Sequence, residues 1–475
     1  MPPQTISEHV PIEGPKTFSR EEVLKSRDVV RKSMDGTKYE TCQPWYIIID
    51  NKVYDVKDFV PDHPGGSVIL TLIGKDATDA FNNFHQESTH DLLANYYVGD
   101  VAPEDIASTK EGFSKELREL KELFVKLKYF ESSKAYYLFK ISSNISIWAS
   151  SVLLLYAFGN SILGVLVAAI ALAIFWQQCG WLAHDFLHHQ VFQNRDYNNL
   201  AGCFIGSVCQ GFDPSWWKDK HNTHHAAPNV HGQDPDINTH PILSWSEYAL
   251  TDLFDPELAS ENAKILPQWL AHLWVNNQTI LYLPIMCFAR ISWCIQSIIF
   301  ILPNGQLRKP ANAHMPITKI QQISLLLHYV WLSWMLSLID NWFLRLFFLF
   351  SAQTICGLLL ATVFSLNHFG MKILSEDESS KMDFFVEQII TGRDIIALNP
   401  ANQWIVDWFT GGLNYQIEHH IFPAIPRHHF HKIQPIIQGL CAKHQVPYHM
   451  TTFFKGTTEV FGTLGDVSLT ASKKY

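Results

Sequence analysis

The 475-residue chain distributes its apolar residues unevenly. Charged positions are frequent up to about Lys140, and then no Asp, Glu, Lys or Arg occurs between Lys140 and Asp185. That gap has room for two membrane spans of about 20 residues each, with Ala157-Phe158-Gly159-Asn160-Ser161 as the tight turn between them. Two further uncharged runs, between Lys319 and Asp340 and between Arg345 and Lys372, read as a second hairpin that turns at Asp340-Asn341. The pattern predicts four spans near 139–158, 161–181, 320–339 and 342–366. The stretch 265–302 is also apolar, but Pro267, Asn276, Asn277, Gln278, Pro284 and Arg290 interrupt it. Such breaks favour a segment on the membrane surface over a fifth span. Lys115 to Lys140, Arg195, Lys218 and Lys220 flank one side of the hairpins, whereas the turn near Gly159 carries no Lys or Arg. This asymmetry places the long polar segments and the N-terminus in the cytosol.

Ahead of the spans, residues 104–130 are acidic and then of mixed charge, and Phe113, Leu117, Leu120, Phe124 and Leu127 recur at helical spacing. An amphipathic linker helix resting on protein or lipid is expected there. Thr17 to Val101 has the size of a small independent domain. Within it, Pro44 to Val56 reads as strand, Asp50-Asn51 turn, strand. Next come His63-Pro64-Gly65-Gly66, a forced turn over which a flat group can lie, and His85 after Phe81-Asn82-Asn83-Phe84. Two such histidines can clamp a haem iron from both faces. The order of the hairpin, the His63 turn and the later Phe84-His85 resembles cytochrome b5. By that resemblance His63 and His85 are the axial ligands of haem b, with His90 as the competitor for the second position.

Composition narrows the field. A net charge of -9 argues against nucleic acid as a partner. The 8 cysteines are scattered without a CxxC pair, as packed free thiols of a reducing compartment would be. Met1 to Arg31 is too polar for a signal peptide. The 23 histidines ask for a reason, and three clusters supply it. The first is His184, His188 and His189 at the end of the second span. The second is His221, His224 and His225, and the third is His419 and His420 after Gln416. Spacings of three and four put side chains on one helical face, so one helix could offer His221, His224 and His225 to a single site. Imidazole suits iron, zinc and copper, and spacing alone does not choose among them. Eight or more clustered ligands exceed what one octahedral ion accepts, so convergence of the clusters implies two ions. His368, a polar residue at the end of the fourth span, is expected as a further ligand. His231, Asp234 and Asp236 read either as carboxylates and partners behind the metal-bound imidazoles or as loop residues, and Asp185 and Glu418 stand in the same position. His428, His429 and His431 are expected at the surface or a helix start.

With these clusters, the fused haem domain and the order of spans, the chain resembles the membrane fatty-acid desaturases. More narrowly, it is similar to the front-end desaturases, whose third box begins with Gln. The stretches around Trp181 to His184, Lys220 to Pro228 and Thr410 to Tyr415 look most like fungal delta-6 desaturases. The resemblance implies an α+β cytochrome b5-like domain fused to an all-α four-span membrane domain with a cytosolic helical cap. The expected division is a polar tail at 1–16, the haem domain at 17–101, the linker at 102–135, the desaturase domain at 136–460 and a C-terminal tail at 461–475. It implies a di-iron centre held by His184, His188, His189, His221, His224, His225, His368, Gln416, His419 and His420. Dioxygen would be the co-substrate, and NADH would supply electrons through a cytochrome b5 reductase. The substrate would be an acyl chain on coenzyme A or phospholipid, and the location the endoplasmic reticulum membrane. A b5-fused hydroxylase, a sphingoid-base, delta-5 or delta-8 desaturase, and a membrane-tethered haem electron carrier are the competing functions.

Overall fold

The computed structural model describes residues 16–34, 43–106, 112–255, 267–302 and 319–475. The expected N-terminal tail lies almost wholly outside the described residues. The chain divides into two compact units: Met1–His63 with Ile69–Thr109, and Pro64–Val68 with Lys110–Tyr475.

The first unit contains β1 (Thr17–Phe18), α1 (Arg20–Met34), β2 (Tyr46–Ile49), β3 (Lys52–Asp55), α2 (Thr78–Phe84), α3 (His90–Leu93) and β4 (Tyr97–Val101). Its sheet runs β1-β4-β3-β2. The β2–β3 hairpin turns at Asp50 and Asn51, at φ 50° and 60°. Two left-handed residues give a turn whose twist matches paired strands, and Asp and Asn tolerate that conformation. Phe18, Val23, Ile48, Val53 and Val101 form its core.

The second unit begins with α4 (Phe113–Lys126). Leu117 and Phe124 of this helix are buried against Phe422, Phe430 and Ile433, so the linker helix rests on protein; Leu127, expected on the same face, is exposed. Then follow α5 (Lys134–Phe158), α6 (Ile162–Leu187), α7 (Arg195–Cys203), α8 (Pro214–Ala226), α9 (Glu247–Phe254), α10 (Gln268–Asn276), α11 (Gln278–Met286), α12 (Ala289–Ile301), α13 (Lys319–Ser337) and α14 (Trp342–His368). Among the described residues, α5, α6 and α14 are long and apolar enough to cross a membrane. Helix α13 forms where the third span was expected, but Gln321, Gln322 and His328 leave it less apolar than these three. The stretch expected on the membrane surface forms α10, α11 and α12; α11 and α12, bent by 64°, are together apolar enough to be a broken span or a re-entrant loop. Its break docks on Gly357 of α14, where a Cβ would come within 2.2 Å of the Cys287 carbonyl oxygen. Arg290, which argued for the surface, is fully buried. It donates to the Gln210 carbonyl and the Gln353 side chain, meets His328 Nε2 at 3.1 Å and lies 3.5 Å from the centre of the Trp176 ring. A charge inside a membrane domain persists where protein groups surround it in this way.

The remaining elements are α15 (Glu376–Lys381), α16 (Phe384–Ile390), β5 (Asp394–Ile396), α17 (Gln403–Thr410), α18 (Gln416–Ile421), α19 (Phe430–Lys443), β6 (Met450–Thr452) and α20 (Phe453–Lys474). The parallel pair β5–β6 was not anticipated. Nor does the chain end in a tail. Leu464, Val467 and Ala471 recur at helical spacing along α20 and are buried, Val467 and Ala471 beside Leu250, Leu253 and Val275. Seven cysteines among the described residues are unpaired, as expected.

Candidate metal centre and haem site

Spans α6 and α14 both end at the histidine clusters, so two long helices deliver His184, His188 and His368 to the same end of the unit. Helix α8 starts cleanly because Asp213 accepts from the Ser215 and Trp216 amides, each at 2.9 Å, with Pro214 in the first turn. Helix α18 is a single short helix whose residues are all buried.

The histidines gather in two groups whose ligand atoms lie within 4.8 Å of one another: His184, His188, His221, His225 and His419 in one, His224, His368 and His420 in the other. Helix α8 thus does not serve one site. His221 and His225, four apart, face the first group, while His224 faces the second. Neighbours on α18 divide in the same way, because successive helical residues point about 100° apart. The groups abut, with the rings of His225 and His420 stacked at 4.2 Å.

Within the first group the Nε2 atoms of His221 lie 3.2 Å from His184, 2.9 Å from His188 and 3.0 Å from His225, and His419 lies 3.0 Å from His225. In the second, His368 Nε2 is 3.1 Å from His224 and 3.0 Å from His420. Bonds of about 2.1 Å from a metal to two imidazoles at right angles place the nitrogens about 3.0 Å apart. The outer nitrogens of the second group are tied down. His224 Nδ1 donates to Asp234 at 2.9 Å, His368 Nδ1 to the Thr391 carbonyl at 2.9 Å and His420 Nδ1 to Gln388 Oε1 at 2.8 Å. In the neutral ring each bond fixes the tautomer that leaves an Nε2 lone pair inward. Lone pairs converging at such distances fit a cation. Burial holds His221, His225, His419 and His420 well below the usual imidazole range, and hence neutral. At His224 burial acts the same way, but the carboxylates of Asp234 and Asp236 outweigh it and raise the ring to about 9.

The Gln416 amide lies 2.8 Å from His368 Nε2, beside the second group. His189 is outside both. Helix α6 ends at Leu187 with His188 as its cap, and His189 takes a left-handed φ of 60° that carries its ring away, to 3.5 Å from Lys218 Nζ. Of the possible supporting residues, Asp234 holds His224, whereas His231 pairs with Asp252 at 3.0 Å. Asp185 is bound by Arg427, and Glu418 accepts from Tyr448 Oη at 2.8 Å. His428 and His429 lie in a short 3-10 turn and His431 at the start of α19, as expected. Sequence reasoning missed Gln388, Thr391 and Asn229, whose Nδ2 donates to the His368 carbonyl at 3.0 Å. Their contacts span many residues of chain, so no local signal marks them.

In the first unit, the rings of His63 and His85 lie 6.1 Å apart, centre to centre. Two imidazoles bonded to one metal ion from opposite sides at about 2.0 Å each would stand close to this separation. His85 Nδ1 bonds the Phe81 carbonyl at 3.1 Å, whereas His90 Nε2 is turned to Asn82 Oδ1 at 3.0 Å.

Residues 160–452 match the fatty acid desaturase family, and residues 33–102 match the cytochrome b5-like haem/steroid binding domain. An acyl-lipid (9-3)-desaturase of Physcomitrium patens is 38% identical over 436 residues, covering 90% of this chain and 77% of the relative. A Delta(6)-fatty-acid desaturase of Caenorhabditis elegans is 31% identical over 460 residues (90% and 95%), and a Delta(8)-fatty-acid desaturase of Euglena gracilis 33% over 408 residues (84% and 89%). The b5-like domain implies haem, and the desaturase family implies a di-iron centre that the two histidine groups fit. The chain belongs to the fatty acid desaturase family, as a membrane oxidoreductase with a fused cytochrome b5-like domain.

Proposed function

We propose that this front-end desaturase inserts a cis double bond at carbon 6 of polyunsaturated acyl chains, converting linoleate to gamma-linolenate and alpha-linolenate to stearidonate. The observation that carries the reading is the pair of abutting histidine groups at the ends of α6 and α14. The choice of carbon 6 is supported by the relatives named for (9-3) and Delta(6) activity. Relatives named for Delta(5) and Delta(8) activity give the second reading.

His184, His188, His221, His225 and His419 would hold one iron, and His224, His368, His420 and Gln416 the other. His63 and His85 would hold haem b. Acid–base and nucleophilic side chains cannot break an unactivated methylene carbon–hydrogen bond; iron bound at such a centre supplies the activation of dioxygen that can. The residues around it do the rest. Asp234, Thr391 and Gln388 aim three imidazoles inward, and burial keeps bulk water out and disfavours protonation of His221, His225, His419 and His420. Removal of hydrogen from two neighbouring carbons, with one dioxygen, two electrons and two protons, leaves an alkene and two waters. The fused haem domain would deliver the electrons one at a time from an NADH-dependent reductase, at the high effective concentration that a tether gives. The chain would sit in the endoplasmic reticulum membrane with its N-terminus and histidine groups cytosolic.

Expression in yeast fed linoleate, read by gas chromatography, tests the reading. Gamma-linolenate is expected. A new double bond at carbon 5 or 8, a hydroxy acid or a sphingoid alkene overturns it. Iron no greater than the haem equivalent would point to an electron carrier.

A further inference from the structure

We infer that Asn367 is a positioning residue that turns the side-chain oxygen of Gln416 toward the second metal position. The inference rests on the di-iron reading above. Asn367 immediately precedes His368 on α14, and both Asn367 and Gln416 are 3% exposed, so their amides must find partners inside the protein.

The nitrogen and oxygen of an amide are told apart by their surroundings. One end of the Asn367 amide faces the carbonyl oxygens of Val363 and Leu413, at 3.3 and 3.2 Å. Both are acceptors, so that end is the NH2 group. The other end, the oxygen, meets the Gln416 amide at 2.8 Å, and Gln416 must present its own NH2 there. The remaining Gln416 atom is then the oxygen, and it stands 2.8 Å from His368 Nε2. The opposite pair of orientations gives His368 a donor. It also sets the Asn367 oxygen against two carbonyl oxygens with no proton among them, a buried mismatch.

His368 Nδ1 donates to the Thr391 carbonyl, so Nε2 of the neutral ring carries a lone pair. An oxygen and a nitrogen lone pair facing one another at 2.8 Å repel unless a cation shares them, and 2.8 Å is close to the spacing of adjacent ligands on one ion. One metal position would then face five imidazoles, and the other three imidazoles and the amide oxygen that Asn367 turns toward it.

The test is non-haem iron per full-length chain, with a Mössbauer spectrum and the haem band as a check on folding. Asn367→Leu and Gln416→Leu should each lose about half of the non-haem iron, and the double variant should lose no more, since both act through one ligand. Gln416→His supplies a ligand nitrogen that needs no amide orientation, so adding it to Asn367→Leu should restore the iron. If leucine is not accommodated, Asn367→Ala is read in the same way. Full iron with an unchanged spectrum in the Asn367 variant, or loss that Gln416→His does not restore, overturns the inference. Wild-type protein holding fewer than two non-haem irons would instead overturn the di-iron reading itself.

Discussion

His224 Nδ1 donates to Asp234 Oδ2 at 2.9 Å, and the same oxygen accepts from the Asn229 backbone N–H at 2.7 Å. The carboxylate therefore holds both the imidazole and the loop that follows α8. Asp234→Ala should weaken iron binding about 10–100-fold, the usual effect of removing such a partner. Asp234→Asn keeps an acceptor but not the charge and should fall between. Iron retention against a graded chelator series distinguishes the three proteins.

His188 and His189 are neighbours with opposite expected fates. His188→Ala removes a ring 2.9 Å from His221 and should lose iron and desaturase activity, whereas His189→Ala should keep the full iron content. Iron analysis of the two purified variants checks this. Loss of iron in the His189 variant would return that residue to the ligand set.

Haem should depend on His63 and His85 and not on His90. His63→Ala and His85→Ala should abolish the haem Soret band and strongly reduce desaturation even when free cytochrome b5 is present. His90→Ala removes a bond to Asn82 and an edge contact with the Phe81 ring and should retain the band. Absorption spectra of the three variants decide the matter.

Arg427 and Asp185 form a buried ion pair that fastens the segment before α19 to the end of α6; Arg427 also donates to the Trp181 carbonyl at 2.9 Å. Removing one partner strands the other charge, so Arg427→Met should destabilise the protein by about 3–5 kcal/mol. Arg427→Met combined with Asp185→Leu should cost less than Arg427→Met alone. Thermal inactivation in detergent or nanodiscs gives the order.

The last helix is part of the core. Leu464 is fully buried, and Leu464→Ala should cost about 2–5 kcal/mol. Deletion of residues 461–475 should lower the melting temperature further, measured on the same protein by the haem and tryptophan signals. A truncated chain as stable as the full one would make this segment a true tail.

The sequence by itself determined what could be read over one helical turn or one hydrophobic run. Charge-free stretches marked α5, α6 and α14, because excluding charge over some 20 residues is what a bilayer demands. The Asp50-Asn51 turn and the His63 turn marked the small domain, and the three-and-four spacing marked the histidine boxes. It could not say which ion each histidine serves. His224 and His225, and likewise His419 and His420, are adjacent in the chain yet fall into different groups, and that division depends on the rotation of α8 and α18 against the span ends. Spacing also left His189 eligible, because it does not mark where α6 stops, at Leu187. The partners behind the site, Thr391 and Gln388, and Asn229 against His368, come from chain segments that only tertiary folding brings to the histidines. A hydrogen bond between distant residues has no period, so no pattern in the sequence announces it.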